Sequence, residues 1–216
     1  MSSLVLYLIR HGETDYNRQG IVQGGGVDSS LNATGIQQSQ SFYRFYQQES
    51  FDALYCSPLR RTSQTLSPWQ QRGLEPNPLE ELIELNWGIH EGLIPTAEQK
   101  AEFLSIKQKW TEGELHLSVT GGETPLQAWE RSQKAMEILF EKHQGERLLV
   151  CTHGRLLRIL LSGLLDKDIS RMEQYTQPNT GLHLIELTAP DKARAIKLAD
   201  TAHLIADQPQ GTAAIT

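Results

Sequence analysis

Leu4-Val5-Leu6-Tyr7-Leu8-Ile9-Arg10-His11-Gly12-Glu13-Thr14 decides the fold. Its first six residues form an apolar run short enough for a buried parallel strand, and Gly12 gives the backbone freedom for the tight turn that follows. Arg10 and His11 therefore stand at the carboxyl end of a central strand. In open α/β sheets, ligands bind outside those strand ends, so a guanidinium and an imidazole there face a crevice rather than the core. A histidine at a strand end is also an ordinary hydrogen-bonding residue. What later stretches bring to the same edge decides between the two.

Two further runs read as strands. Ala53 to Cys56 ends at Ser57-Pro58, a favoured N-cap and a favoured first helical residue, so a helix is expected from there to about Arg72. Arg147 to Cys151 leaves through Thr152-His153-Gly154 into Leu156 to Leu165, a helix apolar nearly all round. Between the strands, Glu13 to Asn32 is a polar, glycine-rich loop. Asn32 caps a helix over about Ala33 to Glu49, whose Phe42, Phe45 and Tyr46 recur at helical spacing as core contacts. Leu82 to Gly88 is irregular and partly buried. Ile94 to Gly122 is weakly helical and lid-like, with a capping box at Thr96 to Gln99. A second box, Thr124 to Gln127, starts a helix with Leu126, Trp129, Met136, Leu139 and Phe140 on one stripe. Thr180 to Leu187 and Ala193 to Ala199 read as closing strands with an antiparallel edge, and from Thr201 a loose tail is expected. This organisation is one α/β domain over 1–204, with the lid-like excursion at about 94–122 and a loose tail over 205–216.

The totals narrow the function. A net charge of -6 over 216 residues argues against a broad nucleic-acid surface, although a few clustered arginines can still build a local anion pocket. No apolar run approaches the ~20 residues of a membrane span and no signal peptide is evident, which gives no membrane partner and a cytoplasmic default. Cys56 and Cys151 each close a strand and read as reduced core thiols. The Cys-x5-Arg spacing of cysteine-dependent phosphatases fails at both, since Thr62 and Leu157 occupy the arginine positions. No Cys-x2-Cys or His-Glu-x-x-His motif suggests a dedicated metal, and no cofactor is expected.

Arg10-His11-Gly12-Glu13-Thr14 with Asn17 resembles the Arg-His-Gly-Glu-Thr-x-x-Asn signature of the histidine phosphatase superfamily, which includes the phosphoglycerate mutases. Ser57-Pro58-Leu59-Arg60-Arg61 is similar to its Ser-x-Leu-x-Arg stretch, and the match assigns the site arginine to Arg61, leaving Arg60 solvent-facing. Glu84 through Gly88 to Glu91-Gly92, Gly121-Gly122-Glu123-Thr124 and Thr152-His153-Gly154 resemble the remaining motifs. The resemblance implies a three-layer α/β/α sandwich with a mainly parallel central sheet and catalysis through a phosphohistidine on a small-molecule phosphomonoester.

The residue chemistry agrees. A phosphate monoester carries about -1.5 to -2 charge, which Arg10 and Arg61 can neutralise with planar donor sets, while His153 at a helix start adds a further donor. His11 is then the nucleophile. Glu84 is the proton donor, with Leu82, Ile83, Leu85 and Trp87 expected to desolvate its carboxyl and keep it protonated. Asn17, Gln23, Glu123 and Gly154 are candidates for contacts to phosphate or substrate. Glu91 is read as a loop brace and His90 as ordinary surface. Trp110, Lys107, Lys109 and His116 in the excursion point to no single ligand. Mutases of the family usually carry Arg-His-Tyr-Gly after the acid glutamate, whereas Leu85-Asn86-Trp87-Gly88 follows here. Ala199-Asp200-Thr201-Ala202-His203-Leu204 resembles the C-terminal signature of phosphatase branches. Hydrolysis is therefore favoured over phosphoryl transfer between hydroxyls. A non-catalytic phospholigand binder would need neither His11 nor Glu84. A homodimer is left open.

Overall fold

The computed structural model describes residues 3–206. Strands β1 (Leu4–Arg10), β2 (Ala53–Cys56), β3 (Pro76–Pro78), β4 (Arg147–Thr152), β5 (Leu182–Ala189) and β6 (Lys192–Asp200) form one sheet in the order β3-β2-β4-β1-β5-β6. The helices are α1 (Asp15–Gln19), α2 (Ala33–Tyr46), α3 (Arg60–Gln70), α4 (Ala97–Thr111), α5 (Pro125–Lys142), α6 (Gly154–Leu161) and α7 (Ala202–Ala206). β3, β2, β4 and β1 pair in parallel, and β5 and β6 extend the sheet in antiparallel pairing. The expected α/β fold with a mainly parallel sheet is what forms.

Period-two alternation makes the layers. Leu4, Leu6 and Leu8 of β1 and Leu148 and Val150 of β4 pack on one face with Met136 and Leu139 of α5 and Leu157 and Leu160 of α6. Tyr7, Ile9, Leu149 and Cys151 point the other way, onto Phe42 of α2 and Leu66 and Trp69 of α3. Both faces are covered, which is why these strands read as unbroken apolar runs. A third cluster, including Leu85, Trp87, Trp110 and Leu156, ties the 94–122 excursion to the body, and the Trp110 Nε1 donates to Leu117 O at 2.8 Å. No helix among the described residues is long and apolar enough to cross a membrane.

Several local expectations are corrected. α3 begins at Arg60 with Leu59 as its cap, because Ser57 Oγ turns to accept the Leu59 N–H at 3.2 Å. α2 stops at Tyr46, and Phe45 and Leu126 are exposed rather than core. α6 ends at Leu161 and continues as a π turn over Ser162–Asp166. It is not apolar all round, since Arg155 and Arg158 give it a polar stripe. The chain after Thr201 is not loose at first: α7 buries His203, whose ring lies 5.1 Å from that of Phe42. Of the expected tail, residues 205–206 belong to α7 and the rest lies outside the described residues.

Candidate active site

Strand register brings the two histidines together. Arg10 pairs with Thr152 as the last residues of β1 and β4, and the His11 N–H donates to Thr152 O at 3.0 Å, so His11 and His153 leave adjacent parallel strands side by side. Their ring centroids are 5.3 Å apart. Both rings are almost wholly buried, His11 at 3% exposure and His153 at 0%. Burial, followed by nearby Arg10 and Arg61, holds the proton affinity of His11 well below that of a free imidazole, and burial with Arg61 and His11 does the same for His153.

Two neutral rings have one proton each, and their neighbours place it. His11 Nδ1 lies 2.7 Å from the Gly12 carbonyl oxygen and must donate to it, which leaves the Nε2 lone pair free. Arg61 Nε donates to His153 Nδ1 at 3.2 Å, which puts the His153 proton on Nε2. That Nε2 is buried without a partner, as is Nε of Arg10. Buried donors left unpaired inside a protein are rare; Arg10 lines the pocket over this floor, and His153 lies beside His11 without itself being one of the lining residues. Arg10 is fixed by donating from NH1 to Gln177 O at 2.7 Å, and burial lowers its pKa to about 10. A Cβ at Gly154 would sit 3.2 Å from Arg10 Nε, so a side chain there would push Arg10 by a few tenths of an ångström.

A pocket of about 250 Å³ opens over this floor, lined by Arg10, His11, Asn17, Gln23, Glu84 and Gly154 among others. Arg61 does not line it. Its guanidinium is fully buried behind His153 and donates to Val27 O and Gly24 O, holding the glycine loop. Glu84 is at the pocket, but its setting differs from the apolar one expected. Leu82 and Leu85 are buried as foreseen, yet the carboxylate accepts backbone N–H bonds from Leu85 (2.9 Å), Arg155 (3.0 Å) and Leu156 (2.9 Å), at the amino end of α6. Glu84 and His11 thus share the same helix and strand ends.

A family model, the histidine phosphatase superfamily (branch 1), matches residues 6–201. The chain belongs to this superfamily. It is 27% identical to 2-carboxy-D-arabinitol-1-phosphatase of Triticum aestivum over 84% of its own length, although it spans only 36% of that protein. It is 26% identical to phosphoserine phosphatase 1 of Hydrogenobacter thermophilus, with 92% and 93% of the two chains covered. Among solved structures, Bacillus stearothermophilus YhfR superposes with a TM-score of 0.82 at 25% identity, covering 93% and 99% of the two chains.

Within this superfamily frame, Asn17 and Gln23 are pocket residues held by Thr14. The Asn17 side chain accepts the Thr14 N–H at 3.2 Å, and Gln23 Nε2 donates to Thr14 Oγ1 at 2.8 Å. Glu123 does not reach the pocket. It forms a two-pronged pair with Arg131, at 3.1 and 2.9 Å, and Arg131 NH1 donates to Glu81 O and Ile83 O at 2.8 Å each. The pair therefore clamps the segment that carries Glu84. Glu91 is the brace expected of it: its carboxylate accepts Trp87 N at 2.7 Å and Gly26 N at 2.8 Å. A Cβ at Gly24 would lie 1.8 Å from Glu91 Oε1 and 2.8 Å from the backbone Leu85 O, which cannot swing aside, so that glycine is required. Arg60 is solvent-facing, paired with Asp28 at 3.6 Å. His90 is buried rather than surface, with Nε2 3.0 Å from Glu102.

Sequence reasoning missed Gln177, Asn179, Arg155 and Arg158. Gln177, Arg155 and Arg158 line the pocket, and Asn179 Nδ2 donates to His11 O at 2.9 Å. The only local signal was the i, i+3 pair of arginines just after His153-Gly154. Among the described residues no three His, Cys, Asp or Glu side chains gather as metal ligands.

Proposed function

We propose that the protein hydrolyses a small phosphomonoester in two steps through a phosphohistidine on His11. The observation that carries this reading is the pair of buried rings. One has its nucleophilic Nε2 free, and the other offers an unpartnered N–H beside it. Arg10 and His153 hold the equatorial phosphoryl oxygens while His11 Nε2 attacks phosphorus in line. The N–P bond forms, the P–O bond breaks, and the leaving alkoxide takes a proton from Glu84. In the second step ionised Glu84 takes a proton from water, the hydroxide attacks phosphorus, the N–P bond breaks, and inorganic phosphate leaves. Arg61 acts from behind, by fixing the His153 tautomer. The pocket volume suits a small metabolite, below the roughly 300–1,000 Å³ of sites that enclose drug-sized ligands.

The test is to quench the enzyme in alkali after milliseconds with ³²P-labelled p-nitrophenyl phosphate. Label that survives alkali and is lost in mild acid, and is absent from His11→Asn, is expected, with turnover of the variant down about 10⁴-fold or more. Acid-stable label, or label retained by His11→Asn, would sink the assignment.

A further inference from the structure

A transferring phosphoryl group presents three equatorial oxygens, and Arg10 and His153 meet them with donors of one kind, buried N–H groups that no protein atom accepts. Gln177 carries the same mark. It lines the pocket, is 7% exposed, and its Nε2 is buried without a partner. Buried amide nitrogens are ordinarily satisfied within the protein, so an idle one on a crevice residue calls for a ligand.

His183 of β5 decides which end of that amide is idle. The Ala199 N–H of β6 can only donate, and it lies 3.2 Å from His183 Nδ1, so this ring nitrogen accepts. Burial lowers the pKa of the ring to about 4, which leaves it neutral with its one proton on Nε2. His183 Nε2 therefore donates to Gln177 Oε1 at 2.8 Å. The amide oxygen is tied to β5, and the nitrogen, with two N–H groups, is left for the other side. The backbone sets this amide beside the reacting groups. Gln177 O accepts from Arg10 NH1 at 2.7 Å, Asn179 Nδ2 donates to His11 O at 2.9 Å, and the Thr180 N–H donates to Arg10 O at 3.0 Å. The 177–180 segment thus straps across Arg10 and His11. Its outer side is held by the 199–204 stretch that the sequence singles out: Ala199 bonds His183, and His203 Nε2 lies 2.9 Å from Thr180 Oγ1. Ala199 adopts a φ of 49°, unfavourable for a residue with a Cβ, and such strain persists where surrounding bonds over-determine it.

We infer that Gln177 is a further catalytic residue, its Nε2 donating to a phosphoryl oxygen beside Arg10 and His153, and that His183 is a positioning residue that holds the amide in that sense. This rests on the phosphomonoesterase reading and adds a neutral donor to it. An amide fixed before binding needs no reorganisation as charge spreads over the equatorial oxygens, which is how preorganised donors act.

The test is single-turnover release of p-nitrophenolate from p-nitrophenyl phosphate, with saturating enzyme in excess so that an unfolded fraction does not enter the rate constant. Gln177→Met, similar in size and without a donor, is expected to lower the rate about 10²-fold. Gln177→Glu keeps an acceptor for His183 and puts an oxygen where the donor was, and is expected to lose at least as much at pH 8. His183→Phe, which has no N–H to orient the amide, lowers the rate about 10-fold. His183→Gln, whose amide N–H can stand in for the ring Nε2–H, restores it to about threefold of wild type or better. With Gln177→Met already present, His183→Phe costs less than about twofold more, because the group it acts through is gone. A rate within about threefold of wild type in either Gln177 variant overturns the donor. Losses that multiply in the double variant, or a His183→Gln no faster than His183→Phe, overturn the positioning role. Gln177→Met is expected still to place alkali-stable label on His11, only more slowly. Absence of that label from the wild type would remove the phosphohistidine whatever Gln177 does, whereas label formed by Gln177→Met at the wild-type rate would remove the donor alone.

Discussion

The pocket's floor, where β1 and β4 end, and its wall, where α4 and the Trp87 segment close against Ile21 and Val22, are held by different forces. On the floor each reacting group is tied by a short bond to nearby polar groups, the backbone above all: His11 to Gly12 O, Arg10 to Gln177 O and Glu84 to three N–H groups, all but Arg10 buried below 9% exposure. The wall is apolar packing. Trp87 meets Phe103 at 4.7 Å and Trp110 at 5.4 Å between ring centroids, while Leu104 of α4 is 64% exposed. Directional bonds fix atoms to fractions of an ångström, whereas apolar contacts tolerate exchange of one side chain for another. Chemistry is therefore expected to be brittle on the floor, and selectivity adjustable on the wall.

Glu84 puts the strongest strain on that contrast, because it belongs to the floor by its bonds and faces the wall by its position. Glu84→Gln keeps an acceptor for part of the N–H set and removes the proton. Alkyl esters are expected to slow by about 10²–10⁴, and p-nitrophenyl phosphate, whose leaving group needs no proton, by much less. Single-turnover rates across leaving groups of graded acidity read this directly. An equal loss for every ester would show Glu84 to be a positioning group only, and would move it off the floor.

The floor also predicts how stability depends on pH. His11 and His153 have proton affinities well below the free imidazole value, and burial lowers the pKa of His183 to about 4. The folded chain therefore keeps these rings neutral while the unfolded chain protonates them below about pH 6.5. Protons then bind the unfolded state preferentially, so stability is complete above pH 6.5 and falls as pH drops below it. Each ring contributes roughly 1.4 kcal/mol per pH unit, up to about 4 kcal/mol per unit for the three. Urea melts between pH 8 and pH 5 measure it. A midpoint that does not move over that range would mean that the rings are charged when folded, and the nucleophile argument would fall with it.

What the sequence made legible follows the same division. The floor was readable because its determinants are local, an apolar run ending in Arg-His-Gly and a strand ending in Thr-His-Gly, and the caps at Thr96 and Thr124, outside the floor, were readable for the same reason, their partners lying three residues away. It failed where the deciding partner is distant in the chain. Gln177 and Asn179 reach Arg10 and His11 across 167 and 168 residues, and nothing near either end announces the contact. Glu123 was read as a ligand contact because its motif neighbours are. Arg131, two helical turns further on, claims both its oxygens. For Glu84, the apolar neighbours were right but the α6 amino end that supplies two of its three donors comes from a segment 71 and 72 residues away. Phe45 shows the remaining kind of miss. Phe42, Phe45 and Tyr46 span more than one face of the helix, and the sheet covers only the face of Phe42 and Tyr46.

Two capping boxes of matching geometry allow the smallest and sharpest test. Thr96 accepts Gln99 N at 3.2 Å while Gln99 returns a bond at 2.9 Å, and Thr124 and Gln127 repeat both distances. Thr96 opens the wall helix. Thr124 follows Glu123, whose pairing with Arg131 clamps the Glu84 segment. Alanine at either position removes one bond to an orphan helix N–H, and each variant is expected to lose about 1 kcal/mol of stability in denaturant melts. Their activities should part. Thr96→Ala leaves kcat for an alkyl phosphate within twofold of wild type, because α4 meets the site through replaceable apolar contacts and the Lys107–Glu173 pair at 3.3 Å, neither of which bonds a reacting group on the floor. Thr124→Ala lets the Glu123 backbone shift, loosens Arg131, and lowers the same kcat by roughly threefold, under 1 kcal/mol of barrier. Loss of stability without this divergence would show that floor and wall answer alike to a distant perturbation, and that the clamp does not transmit to Glu84.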